Sequence, residues 1–453
     1  MSASASQVKL SPDHCGIFHL PGVTKESAAK ASDVLQEDLE NHHCFFNASG
    51  FHNHIPHHIL TLYALGAGPE LIQKHYESNK QYQRPLQPIT DSILEDLHDN
   101  EKFREYLGSG RYYHEWLVFF QGEIDKKGYE VVINEYCLKG DERADDMLVR
   151  LHGGFLHPMI HLGFGVEFKQ PAIVAEALAQ AAVHESWLGP FMLDAEKAAT
   201  STGKGKPMVE LLDEVRANKK LSEAAQWDDS NKIRDGILVR APDEMISIAK
   251  EWKVMPGAVI EKTGEMTNAA VYYTGGAQYP PKPIKFDFYY MHCVNCSIFY
   301  DAFSKQATWI TDENKARLLE WKGRLDLCMY ASRRSPKPRM DIINDYEPKH
   351  PETAKDTVVE KDSWDGIVTR VLHLDDDGHA AKLVRALAHA ENICAAYSMN
   401  DPLFRIKGDM WLQLGHMAID SVEGAENTGG AWVRSAGFPQ AWEQFEDHPR
   451  AQV

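Results

Sequence analysis

The sequence predicts an all-α protein, and two observations carry that prediction. Apolar residues recur at three- and four-residue spacing along most of the 453-residue chain. Alternating apolar-polar runs of the kind that build half-buried strands are almost absent; Gly128–Cys137 is the one stretch with a competing β pattern.

The elements follow in order. Residues 24–43 form an amphipathic helix with Thr24 as cap and Ala28, Ala31, Val34, Leu35 and Leu39 on one side. Pro56 suits the first turn of a helix running through Ile59, Leu60, Leu62 and Tyr63 and ending at Gly66 and Gly68. Pro69 starts the next, which stops before Pro85. Asn100 and Gly108 bracket a short helix, and residues 111–125 and 141–151 give two more. Pro171 opens a helix whose alanines permit close packing. Further helices are expected at 207–218, 241–252, 285–304, 313–331, 378–398 and 404–422. Thr200–Pro207, Gly275–Pro283 and Ser335–Thr353, rich in Gly, Pro or charge, read as loops. None has the length of a domain linker, and no solenoid repeat is present, so a large multi-helix single domain over 1–453 is expected.

Composition narrows the function. With 43% hydrophobic and 25% charged residues the chain matches an ordinary globular protein. No run approaches the roughly 18 apolar residues of a membrane span. The start, Met1 to Gln7, has no signal-peptide pattern, and Arg450–Val453 carries no sorting signal, so a cytoplasmic location is expected. A net charge of −18 argues against a nucleic-acid or anionic-membrane partner. Seven scattered cysteines do not form a disulfide framework.

The chemistry resides in histidines set in apolar, helix-patterned sequence. They fall in Phe51–His58, His152–His161, Ala182–His184, Tyr290–Cys293 and Gly378–Lys382. A lone histidine on an apolar face is ordinarily a core residue with a satisfied hydrogen bond. Several brought together from distant segments supply neutral imidazoles for a transition metal, so a buried metal site is expected. His54 and His58 stand i, i+4, as do His157 and His161. Pro158 occupies the place where a His-Glu-x-x-His protease has its glutamate. On the helix after Gly378, His379 and Lys382 share a face flanked by Leu383, Ala386 and Leu387. A lysine buried there is driven toward its neutral form, and a neutral amine captures carbon dioxide as a carbamate that ligates metal as a carboxylate does. The competing arrangement has Lys382 reaching solvent and His379 capping the helix.

Other motifs fall away. Cys293-Val294-Asn295-Cys296 has its histidine before the first cysteine, the wrong order for haem attachment, and lacks the second pair of a zinc ribbon. Gly163-Phe164-Gly165 is not followed by a third glycine, so no usual dinucleotide fold is visible. There is no P-loop and no Gly-x-Ser-x-Gly elbow. The aromatic clusters Tyr112–Trp116 and Phe286–Tyr290 suit a flat aromatic ligand or ordinary core packing.

These residues resemble the questin oxidase-like family of fungal and bacterial secondary metabolism. The resemblance runs from about 40 to 400. It rests on Asn53-His54-x-Pro56 with Leu62-x-Ala64-Leu65-Gly66, on His152-Gly153 with Ile160-His161-Leu162-Gly163, and on Pro171-x-x-x-Ala175-Glu176-Ala177-Leu178. The His292 helix and His379-x-x-Lys382 complete the set. It implies a helical oxygenase that opens a ring of an anthraquinone-type polyketide with O2. It further implies iron, Fe(2+), held by four histidines and a carbamylated lysine: His54, His161, His292, His379 and Lys382, with His58, His152 and His157 as rivals for the first two places. Asn295, one turn after His292, stands where the family often has threonine and would support the carbamate from the second shell.

The expected partner is a small aromatic polyketide. Two rival functions keep the same chain but not the metal: a Baeyer–Villiger monooxygenase using NADPH or flavin, which no motif indicates, and a non-catalytic helical polyketide-binding protein.

Overall fold

A computed structural model describes residues 2–199, 205–349, 363–397, 401–425 and 429–447. Among them the regular structure is helical, with isolated bridges such as Phe45 to His52 and no strand. The C-terminal four residues, the start of the Thr200–Pro207 loop and the end of the Ser335–Thr353 loop lie outside the described residues.

Helix starts follow their punctuation. Thr24 caps Lys25–Asn41 through a reciprocal box with Ser27. Proline stands in the first turn of Ile55–Ala64, Pro69–Lys80, His157–Glu167 and Pro171–Val183, where its missing N–H is no loss. The Gly128–Cys137 stretch is helical, as Tyr129–Ile133 followed by a wide turn over Asn134–Leu138. Its β-branched residues are shared with a helix face that buries Val132, Ile133 and Cys137. The expected 285–304 helix is two, Phe288–Ser297 and Phe299–Lys305. The longest helix without a prediction is Val259–Gly276. Its residues from Thr263 to Val271 are all buried, so no polar stripe marks a period, and its threonines and glycines are poor helix formers.

The described chain gathers into two compact units, and it passes between them more than once. The first holds Met1–Gly189, Ala302–Asn314 and Asp375–Lys382; the second holds Pro190–Asp301, Lys315–Leu374 and Leu383–Val453. No helix among the described residues is long and apolar enough to cross a membrane.

In the first unit Pro171–Val183 is the central element, packed against both His157–Glu167 and Tyr113–Lys127. Its run of alanines is fully buried and lets neighbouring backbones approach. Ile55–Ala64 lies against His157–Glu167 and, on another side, against Lys25–Asn41. In the second unit Val259–Gly276 packs on Phe288–Ser297, and Trp364–His373 on Met410–Val422.

The His157–Glu167 and Pro171–Val183 helices meet closely at Gly165. A Cβ there would stand 2.8 Å from the backbone nitrogen of Val174 and 3.2 Å from the carbonyl carbon of Ile173. Gly165→Ala is therefore expected to force the His157 and Pro171 helices apart and cost about 1–3 kcal/mol, the usual range for overpacking. Urea unfolding with an unchanged midpoint would show that the pair yields more easily than this contact implies.

Candidate metal centre

Three histidines from three segments of the first unit converge. One ring nitrogen from each of His54, His157 and His379 lies within 4.8 Å of the others, and all three residues are buried. His54 is the residue before Ile55–Ala64, His157 opens its helix, and His379 opens His379–Cys394. The convergence of three helix starts explains why each imidazole projects from a chain end rather than from a packed helix side.

The Nδ1 atoms are held from outside. Asp377 offers one carboxylate oxygen to His54 Nδ1 at 3.2 Å and the other to His379 Nδ1 at 2.5 Å. His157 Nδ1 pairs with the carbonyl of Gly154 at 2.6 Å. With Nδ1–H donating, Nε2 carries the lone pair, the arrangement that metal-binding imidazoles need. His54 Nε2 and His157 Nε2 stand 2.9 Å apart.

The turn before His157 is conformationally costly. Gly154, Phe155 and Leu156 all take positive φ, at 52°, 55° and 70°. Gly154 has no alternative: a Cβ would meet His184 Nε2 at 2.3 Å and His52 Nε2 at 2.9 Å. These two rings are themselves paired, Nε2 to Nε2 at 2.8 Å, and the His52 ring stacks on His157 at 3.8 Å. The histidine pair thus braces the third ligand candidate from behind.

Electrostatics favour a neutral His54. Burial, reinforced by the charges of Lys382 and His379, lowers His54 to about 3. Asp377 shows the opposite balance: desolvation opposes its ionisation, but the His379 charge and the hydrogen bonds from His379 and His54 outweigh it and hold the carboxyl well below its ordinary range. Asp376 is raised to about 7 by desolvation and then by the neighbouring Asp377 charge. Its oxygens accept from the backbone N–H of Gly378 and Ala380, which fixes the start of the His379 helix.

Lys382 lies one turn into that helix and is 3% exposed. Its Nζ has no hydrogen-bond partner among the described residues. Burial lowers it to about 8, against the pull of Asp377 and Asp376. The alternative in which Lys382 reaches solvent does not describe this structure.

Within the first unit, His161 and the rivals His58 and His152 have other neighbours. His161 is on the His157 helix, but its Nδ1 faces His57 Nε2 at 3.2 Å and its Nε2 faces Glu176 at 3.3 Å. Both nitrogens are engaged, and the histidine of this helix that groups with His54 and His379 is its rival His157. His58 packs against the His75 ring at 4.9 Å, and His152 Nδ1 bonds back to the Leu148 carbonyl. His292 and Asn295 lie in the second unit on Phe288–Ser297, with His292 Nδ1 on the Phe288 carbonyl at 2.6 Å. Asn295 Nδ2 is 3.6 Å from Met291 Sδ.

Sequence reasoning missed Asp377, although the run Asp375-Asp376-Asp377 immediately before Gly378-His379 was its signal. It also missed the bracing pair His52–His184 and the pairing of His57 with His161, which no single-segment spacing reveals.

The chain is similar over almost its whole length to known oxidoreductases. It is 38% identical over 450 residues to a Baeyer-Villiger monooxygenase of Cryptosporiopsis sp., covering 97% of this chain and 99% of that one. It is 37% identical over 451 residues to the questin oxidase of Aspergillus fumigatus, covering 97% and 98%. Against the questin oxidase of Aspergillus terreus the identity is 36% over 445 residues, again covering 97% and 98%. The chain is an oxidoreductase. It belongs to the questin oxidase-like family, whose model matches residues 51–387, a span that contains all three clustered histidines and Lys382.

Because one carboxylate orients two rings, Asp377→Asn is expected to weaken binding of a probe ion such as cobalt(II) by about 10- to 100-fold. The measurement is a visible-absorbance titration, with Asp375→Asn as a control at the neighbouring acid. Equal affinity of wild type and Asp377→Asn would remove the role given to this residue.

Proposed function

We propose that the chain is a non-haem iron-dependent oxygenase that cleaves a ring of an anthraquinone-type aromatic polyketide with O2 in secondary metabolism. The observation that carries the metal part is the three-histidine convergence beside a buried, unpartnered lysine amine. The substrate class rests on the relatives, two of which bear the name questin oxidase.

The donor set fits iron. Imidazoles suit iron as they do several other first-row metals, and with Nδ1 of His54, His157 and His379 held by Asp377 and the Gly154 carbonyl, coordination would be through Nε2. Iron at these residues would supply activation of dioxygen. The protein's own part is orientation and charge. Asp377 fixes two ring planes and their tautomers, Gly154 fixes the third, and burial keeps the His54 ring unprotonated at neutral pH. Lys382 is the candidate carbamate. Its neutral Nζ would attack the carbon of CO2 and release a proton, converting a neutral amine into an oxygen-donor anion next to the histidines.

A second reading has independent support. Several relatives carry the name Baeyer-Villiger monooxygenase or oxidase, which describes an oxygen insertion and not a cofactor. A metal-independent Baeyer–Villiger enzyme using NADPH or flavin on the same substrate class would carry the same name.

Elemental analysis separates the two. Iron in the purified protein, with ring cleavage lost on chelation and restored by iron, is the expected result. Flavin absorbance or strict nicotinamide dependence without iron would favour the second reading. The carbamate has its own test through pH. Neutral Lys382 amine accumulates as pH rises through about 8, so iron uptake in the presence of CO2 should rise across the same range. Lys382→Met should abolish that rise; a variant that retains it, with full iron content, would exclude the carbamate.

A further inference from the structure

Beside the three clustered histidines runs a second buried chain of polar groups with a different logic. His57, His161 and Glu176 are 0%, 3% and 4% exposed, and they join His57 Nε2 to His161 Nδ1 at 3.2 Å and His161 Nε2 to Glu176 Oε2 at 3.3 Å. Phe164 stacks on the His57 ring at 5.3 Å and fixes its plane. The His57 ring lies 6.0 Å from that of His54 and 6.3 Å from that of His157. Its other nitrogen, Nδ1, is buried and has no hydrogen-bond partner among the described residues.

Hydrogen-bond accounting fixes what that nitrogen is. Burial raises the Glu176 carboxyl while the hydrogen bond from His161 lowers it; in its ionised form the carboxylate only accepts, so His161 Nε2 then donates to Glu176. The neutral His161 ring then presents a lone pair at Nδ1, which accepts from His57 Nε2–H. The neutral His57 ring is left with a lone pair at Nδ1. Thus Glu176, two rings away, sets the polarity of an atom that lies near the candidate metal ligands. A buried acceptor left unmet is costly, as is a carboxylate placed within an alanine-rich helix, so the arrangement calls for a donor brought by a ligand.

We propose that His57 Nδ1 accepts the hydrogen bond of a phenolic hydroxyl on the aromatic substrate, and that Glu176, acting through His161, is the positioning residue that keeps this nitrogen an acceptor. The inference rests on the anthraquinone reading above and names the substrate group that the site selects. A hydroxyl has the proton this nitrogen needs, whereas the corresponding methyl ether has none. The inverse chain, with a protonated Glu176 donating, would make His57 Nδ1 a donor for a quinone carbonyl and would give no such selection.

The test is anaerobic binding of a hydroxyanthraquinone and of its O-methyl ether to the purified full-length protein, read by the visible absorbance of the ligand. Wild type is expected to favour the hydroxyl form by about tenfold, the scale of one buried hydrogen bond. His57→Phe, which keeps a ring against Phe164, should bring the preference close to unity while still binding the ether. Glu176→Gln, whose amide both donates and accepts, should reduce the preference without weakening the ether. A merely structural role would weaken both ligands together. An unchanged preference in both variants, or parallel loss of both ligands, would overturn the inference while leaving the anthraquinone reading intact. Failure of wild type to bind either compound would overturn that reading and this inference with it.

Discussion

Asp377 takes hydrogen bonds from two histidines that are more than three hundred residues apart in sequence, and the arrangement of the first unit depends on that bridge. Half-buried, the Asp377 carboxylate would lose part of its hydration with nothing in return if it stood alone, and lone buried imidazoles would be free to rotate or exchange tautomers. Joined, each removes the other's penalty: the carboxylate stays ionised because two ring N–H groups point at it, and the rings stay oriented because the carboxylate is ionised. The segment Asp375–Lys382 is thereby fixed to the start of the Ile55 helix. The same few residues also deliver Lys382 into the interior, so the anchor that orients the imidazoles also buries the amine.

Helical class, most helix positions and the burial of histidines in apolar segments were legible in the sequence because each is a local signal. Prolines in first turns, the Thr24 capping box and the His379-x-x-Lys382 spacing are set within a few residues. Selection among the histidines was not legible. His157 and His161 share one helix at i, i+4 and are equally buried, yet only one joins His54 and His379. What separates them is tertiary: Glu176 on the Pro171 helix claims His161, while the left-handed turn at Gly154–Leu156 aims His157 elsewhere. The Val259–Gly276 helix escaped prediction for a related reason, since burial on every side erases the periodicity that reveals an amphipathic helix.

The i, i+4 pair thus serves two networks with incompatible demands. A ligand imidazole that donates outward at Nδ1, as His157 does against the Gly154 carbonyl, turns its Nε2 toward the other candidate ligands. A relay imidazole must spend both nitrogens, as His161 does between His57 and Glu176. One ring cannot do both, because a neutral imidazole has one donor and one acceptor. Separating the roles by one helical turn lets a single helix supply a candidate metal ligand on one level and a polarity-setting relay on the next. Each network has its own carboxylate. Asp377 sets the tautomers of the rings that would meet a metal, and Glu176 sets the tautomer of a ring that would meet an organic hydroxyl. Exchanging the acids for amides therefore acts on different ligands, although all the histidines involved belong to one buried cluster of the first unit.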